Sequence, residues 1–108
     1  MLNNNLAIKE QGLKDKKGKR RWELLDLGLI EPLVDILQFG AEKYEPNSWQ
    51  NVEDPENTWY AALMRHTAAW RKGEKIDPES HLPHLAHIMC NAMFLLHNEM
   101  KEDKNNGC

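Results

Sequence analysis

Carboxylates recur along one side of the first strongly apolar segment. Glu31, Asp35, Gln38 and Glu42 are spaced so that they share one face of an α-helix, here called the acidic stripe. Stacked carboxylates repel each other unless a cation lies between them, and Mg²⁺ prefers oxygen ligands of this kind. The stripe is therefore either part of a cation site or a solvated polar face, neutralised by Lys43 and other cations.

A second polar row lies near the end of the chain. His84, His87 and Asn91 recur at helical spacing, and Asp77 and Glu79 come just before them, where a helix N-terminus can hold acidic groups or anions. Imidazole can act at neutral pH as a metal ligand, a base or a donor to phosphate. The alternative is that each histidine is a hydrogen-bonded structural residue.

Arg65 and His66 interrupt an otherwise apolar segment between these two rows. An unpaired guanidinium inside such a helix would be costly, so Arg65 needs a partner. That partner is either the acidic stripe or a substrate phosphate, which suits the geometry of a guanidinium.

Hydrophobic periodicity predicts three helices that position these groups, over about residues 29–44, 54–72 and 80–101. The apolar stripe of the first consists of Ile30, Leu33, Val34, Leu37, Ala41 and Tyr44. The stripe of the third consists of Leu82, Leu85, Met89, Met93 and Leu96. The second helix is apolar nearly all round, which predicts burial on most of its sides.

The expected fold class is all-α, a small bundle of three main helices. Three helices rarely bury a strongly apolar middle helix, so we expect dimerisation to complete the core. We expect a polar, basic lead-in over residues 1–20, the folded domain over 21–102 and a frayed tail over 103–108.

Composition excludes several classes of function. The formal net charge of −3 is unlike the basic footprint of a nucleic-acid binder. The exception is a local basic run, either a solvated arm or a segment that contacts phosphates, DNA or a partner: Lys14, Lys16, Lys17, Lys19, Arg20 and Arg21. P-loop, dinucleotide-binding, nucleophile-elbow and HExxH motifs are absent.

The cellular location is expected to be the cytoplasm. Cys90 and Cys108 have neither a CxxC nor a Cys/His spacing, and two isolated thiols are typical of a reducing compartment. No apolar run approaches 18 residues, and the N-terminus lacks the apolar core of a signal peptide. We therefore expect no membrane span.

From about Leu13 onward the order of motifs resembles a known family. The segments KDKKGKRRWELL, LVDILQFGAEKYEPNSW and YAALMRHTAAWRKGEKIDPESHLPHLAHIMCNAMFLL follow one another. Together they resemble the phage-encoded dATP/dGTP diphosphohydrolase N-terminal-like family over about nine-tenths of the chain. The resemblance implies a relation to MazG-like all-α pyrophosphohydrolases, which use Mg²⁺ to cut nucleoside triphosphates between the α and β phosphates.

The resemblance implies hydrolysis of a (deoxy)nucleoside triphosphate, such as dGTP or dATP, with Mg²⁺ or Mn²⁺. The thin core of the three helices separately predicts a homodimer or higher homo-oligomer. The implied metal ligands are Glu31, Asp35, Glu42, Asp77, Glu79 and His87. The implied catalytic residues are Glu42, His84 and Arg65, and the implied substrate-binding residues are Lys43, Tyr44, Trp49, His66 and Asn91.

This chain departs from the family pattern at two places, of which one is Ser48 before Trp49, where relatives have an Asn–Trp pair. Where relatives carry an ExxD helix, it offers His84 and His87, and imidazoles favour softer metals than Mg²⁺. The alternative function is a non-catalytic helical module that binds nucleotides or another protein. The enzyme hypothesis requires that side chains from separate helices converge on one cation pocket.

Overall fold

The computed structural model describes residues 18–105, which form three α-helices with short 3₁₀ helices before the first and between the first and second. The helices are α1 (Glu31–Lys43), α2 (Pro55–Arg71) and α3 (His84–Asn105). No β-strand occurs in that range, which confirms the all-α prediction. None of the helices described there combines the length and apolar character needed to cross a bilayer.

Some predictions concern residues outside this range. They include three lysines of the basic run and the last cysteine: Lys14, Lys16, Lys17 and Cys108. The remaining members of the basic run, Lys19, Arg20 and Arg21, are exposed. The three predicted domain boundaries stay predictions, although α3 continues to Asn105, past the predicted end of the domain.

Proline and glycine set the limits of α1 and α2. Pro32 and Pro55 lie in the first turns, where a missing N–H costs nothing. Gly73 follows α2 with φ +104°, a left-handed conformation that favours glycine. Its N–H donates to the carbonyl of Trp70 at 3.0 Å, so one of the last carbonyls of α2 is satisfied.

The third helix begins at His84, although the sequence pattern predicts a start at Ser80. His81 has φ +62°, and Pro83 disfavours helical backbone at the residue before it. The chain instead forms a tight loop, in which the N–H of Asp77 donates to the carbonyl of Leu82 at 2.9 Å. Asp77 and Ser80 therefore lie beside the first turn of α3 and not within the helix.

The core lies where α1 and α2 pack against α3, and α2 makes its most extensive contacts with α3. The buried core residues are Leu33, Ile36, Ala86, Cys90 and Phe94, with Trp49 and Trp59 packed against them. The prediction that α2 is buried on most sides is wrong for the single chain. None of its residues is buried, because α3 covers one side of it and leaves others, including Tyr60 and Met64, exposed.

The buried face of α3 also differs from the prediction. Leu85, Met89 and Leu96 are exposed, and the buried side consists of Ala86, Cys90 and Phe94. The predicted helical period is right, but the buried face lies one residue further along the chain than the predicted face. A prediction from hydropathy favours the larger apolar side chains over small ones such as Ala86. Burial raises the pKa of the Cys90 thiol to about 12, so this cysteine stays a neutral packing residue.

Candidate functional site

Three histidines from two helices meet near the loop that precedes α3. The ring of His66 on α2 stacks on His87, with centroids 4.2 Å apart and planes 4° apart. Its Nδ1 lies 2.8 Å from Nδ1 of His84. The short connection after α2 brings its C-terminal half against the first turns of α3. We call His66, Asp77, His84 and His87 the His–Asp cluster.

A chain of hydrogen bonds fixes His87. The backbone N–H and the hydroxyl of Ser80 both donate to Oδ2 of Asp77, at 2.9 and 2.8 Å. The Ser80 oxygen also lies 2.7 Å from Nε2 of His87. A hydroxyl has a single proton, and Ser80 donates its proton in the hydrogen bond to Asp77. In the contact with His87 the Ser80 oxygen therefore accepts, and Nε2–H of His87 donates. The basic lone pair of His87 is therefore on Nδ1.

Burial controls the charge of this cluster. Burial, together with the neighbouring His87, lowers the pKa of His66 to about 4. Burial also lowers the pKa of His87. Burial alone would raise the pKa of Asp77, but the two hydrogen bonds from Ser80 keep that pKa below its ordinary value. At neutral pH the site therefore presents neutral imidazole beside a carboxylate.

The ligand atoms of three cluster members are close enough to share an ion. One donor atom from each of His66, Asp77 and His84 lies within 4.8 Å of the others. This donor set contains two nitrogens and one oxygen. It fits Mn²⁺, Zn²⁺ or another transition ion better than Mg²⁺, which prefers oxygen alone.

A cavity of about 740 Å³ adjoins the cluster. All five residues predicted to bind substrate line it: Lys43, Tyr44, Trp49, His66 and Asn91. His87 also lines it, and so does Trp59. Trp49 has a second role as a core residue, because its ring stacks on Phe94 with centroids 4.3 Å apart. The volume suits a ligand of the size of a nucleotide.

An ion pair between Lys43 and Glu79 connects the end of α1 with the loop before α3. The hydrogen bond from Lys43 to Glu79 raises the pKa of the lysine, which remains a cation at neutral pH. Both side chains are exposed, so the pair adds little to stability. It does place a positive charge at the edge of the cavity.

The structure does not bring the acidic stripe to the cluster. Glu31, Asp35 and Glu42 are exposed, and none of them lines the cavity. Arg65 is also exposed and forms no ion pair with a residue of the range 18–105. The metal-binding and catalytic roles predicted for these four residues stay predictions.

Two contributors to the site were not predicted from the sequence. Ser80 is expected from the sequence only as the first residue of the third helix, yet it connects Asp77 to His87. Glu74 has its Oε1 3.5 Å from Nε2 of His84. The spacing DPES does suggest a local turn in which a serine donates to an aspartate, but the long-range contact with His87 has no local signal.

Neither a curated protein nor a solved structure matches this chain. A family match covers residues 9–107, in the family described as dATP/dGTP diphosphohydrolase, N-terminal. This range contains every residue of the cavity and of the His–Asp cluster. The chain therefore belongs to the dATP/dGTP diphosphohydrolase N-terminal family.

Proposed function

We propose that this chain hydrolyses a (deoxy)nucleoside triphosphate, such as dGTP or dATP, to the monophosphate and pyrophosphate. The observation that carries the proposal is the cavity itself. It combines aromatic walls, a cation at Lys43 and an oriented imidazole at His87 in one space. The family description names a nucleotide substrate of this class, and the predicted relation to MazG-like enzymes belongs to the same proposal.

The cavity offers separate positions for the base and the phosphates. Tyr44 is 66% exposed and lines the cavity, so its ring is available to stack on a nucleobase. Trp49 already stacks on Phe94, so it serves mainly as a wall. Lys43 would bind phosphate oxygens, for which it would have to exchange its contact with Glu79.

His87 is the proposed general base, in place of His84, which is only 3% exposed and does not line the cavity. Its Nε2–H is held by Ser80, so its Nδ1 can take a proton from an attacking water. The water oxygen bonds to the α-phosphorus while the bond from that phosphorus to the α,β-bridging oxygen breaks. Pyrophosphate leaves, and the proton of the water resides on Nδ1. The Asp77 carboxylate orients this pair through Ser80 and stabilises the imidazolium that forms.

A divalent cation, when bound, would neutralise phosphate charge and lower the pKa of a bound water. Asp77 and Glu79 remain proposed ligands, together with Glu31, Asp35 and Glu42 of the acidic stripe. The ligand role predicted for His87 gives way to its role as base, because Ser80 occupies its Nε2 and its Nδ1 must accept a proton. For the stripe to act, a neighbouring subunit or the substrate must bring the ion to an exposed face. Loss of turnover in Glu42→Ala with unchanged helicity would support that arrangement, and unchanged turnover would contradict it.

Turnover can be tested directly. Purified protein is incubated with each of the four dNTPs and with Mg²⁺ or Mn²⁺, and products are separated by ion-exchange chromatography. We expect monophosphate and pyrophosphate in equal amounts from dGTP or dATP. Nucleotide binding in calorimetry without any product would contradict hydrolysis and support the binding-module alternative. Diphosphate plus orthophosphate would contradict the proposed site of cleavage.

We also propose a homodimer or higher homo-oligomer, because one exposed face of α3 is apolar. Leu85, Met89, Leu96 and Met100 are 50, 37, 55 and 56% exposed and share one side of the helix. A continuous apolar stripe of this kind is typical of a subunit interface. A second copy would cover it and complete the thin core.

If the apolar stripe of α3 is the subunit interface, a charged residue within it should dissociate the oligomer. In size-exclusion chromatography with light scattering, the wild-type chain should have at least twice the monomer mass. Leu96→Glu should give the monomer mass, because it places a carboxylate within the apolar contact. Glu99→Gln, at an exposed position on the same helix, is the matched control and should not change the mass. A wild-type monomer at about 100 µM would contradict the interface.

A further inference from the structure

One buried nitrogen in the His–Asp cluster lacks a partner. His84 is only 3% exposed, and its Nδ1 is taken up by the contact with His66 at 2.8 Å. Its Nε2 is fully buried and makes no hydrogen bond with a described residue. Oε1 of Glu74 is 3.5 Å away, too far for a good hydrogen bond. A buried imidazole with such incomplete contacts is costly unless a ligand completes them, and an ion on Nδ1 would leave the proton on Nε2, next to the Glu74 carboxylate.

Two features of the surrounding groups suit a bound cation. Oδ2 of Asp77 accepts both hydrogen bonds from Ser80, which orients the carboxylate, and Oδ1 accepts none from a described residue. The Nδ1 atoms of His66 and His84 lie 2.8 Å apart. Two imidazole nitrogens on one tetrahedral ion are about 3.3 Å apart, so a small opening of this pair would admit one. Metal-binding carboxylates are typically oriented by hydrogen bonds such as those from Ser80 to Asp77.

The geometry points to a transition-metal site formed by His66, Asp77 and His84, which takes Zn²⁺, Mn²⁺ or a similar divalent ion. Two imidazoles and one carboxylate leave positions open for water or phosphate oxygens. The site differs from the acidic stripe in its residues and in the ions that its donors select. A catalytic role for this site rests on the proposed function. The site adds to that function a class of cation bound beside the nucleotide cavity.

The test uses the metal alone, so it separates this site from hydrolysis. Tag-free full-length protein with Cys108→Ser, which removes a competing thiol, is titrated with Co²⁺ and followed by its visible absorption and by calorimetry. We expect one ion per chain, with d–d bands typical of mixed nitrogen and oxygen ligands. Zn²⁺ should displace the Co²⁺ and abolish these bands.

Variants assign the ligands. His66→Asn and Asp77→Asn should weaken Co²⁺ binding at least tenfold, and circular dichroism shows whether each remains helical. Two matched controls should bind as the wild type does: His81→Asn, at an exposed position with φ +62° that asparagine tolerates, and Glu99→Gln, at an exposed position of α3. Absence of Co²⁺ binding at millimolar concentration would overturn the site. So would unchanged affinity in both cluster variants, or equal weakening in Glu99→Gln. A metal-binding protein without turnover would keep this site and reject only the proposed function.

Discussion

His87→Gln should lower kcat for nucleoside triphosphate hydrolysis by about 10²–10⁴-fold and leave KM nearly unchanged. This is the size of effect expected when a general base is removed. The glutamine amide can still donate to Ser80, as Nε2 of His87 does at 2.7 Å, but it has no atom that takes a proton from water. The measurement is steady-state release of pyrophosphate over a range of dNTP concentrations.

Two further variants separate proton transfer from structural disturbance. Ser80→Ala keeps the imidazole but removes the group that orients it, so kcat should fall by about tenfold, the equivalent of one hydrogen bond. His81→Asn should retain full activity, because His81 is exposed and outside the cluster. If His87→Gln keeps its kcat, the base is another residue. A rise in KM with unchanged kcat would assign His87 to substrate binding.

Phe94→Ala should lower the free energy of unfolding by about 3–5 kcal/mol, the range observed for deletion of a buried phenylalanine ring. Phe94 is 9% exposed and lies between two indole rings. Its ring stacks on Trp49 at 4.3 Å and is tilted against Trp59 at 4.7 Å. A domain of this size has about 5–15 kcal/mol of stability in total, so this loss is a large share.

The measurement is urea denaturation followed by circular dichroism and tryptophan fluorescence. Tyr60→Ala is the matched control, since it removes an aromatic ring that is 55% exposed on α2. It should change the free energy of unfolding by about 0.5 kcal/mol or less. Phe94→Leu should cost less than Phe94→Ala, because most of the volume is kept. Equal stability of Phe94→Ala and the wild type would contradict the placement of this ring.

The fold was largely predictable because helical periodicity is a local property. Spacing identified all three helices, and α1 and α2 end within about two residues of the predicted limits. The start of α3 was wrong because the left-handed backbone of His81 is set by the surrounding loop. The buried face of α3 was missed because Ala86 and Cys90 are small, so their burial reflects the approach of neighbouring helices and not their own hydropathy.

The candidate site was predictable only in its parts. The row of His84 and His87 follows from helical spacing, but nothing local connects it with His66, which lies on another helix. Lys43 and Glu79 are 36 residues apart, and their ion pair likewise depends on packing. The acidic stripe was the clearest sequence pattern for a metal site. The pattern shows that its residues share one face of α1, but it does not determine whether that face lies toward the cavity or toward solvent.

The position of His66 has a consequence for how the site assembles. His66 lies on α2, which has no buried side chain. This helix is held in place mainly by its contacts with α3. Transient detachment of that helix would separate His66 from His84 without unfolding the rest of the core. Any ligand that bridges the two histidines would hold the helix in place, so occupancy of the site and the rigidity of this part of the domain would rise together.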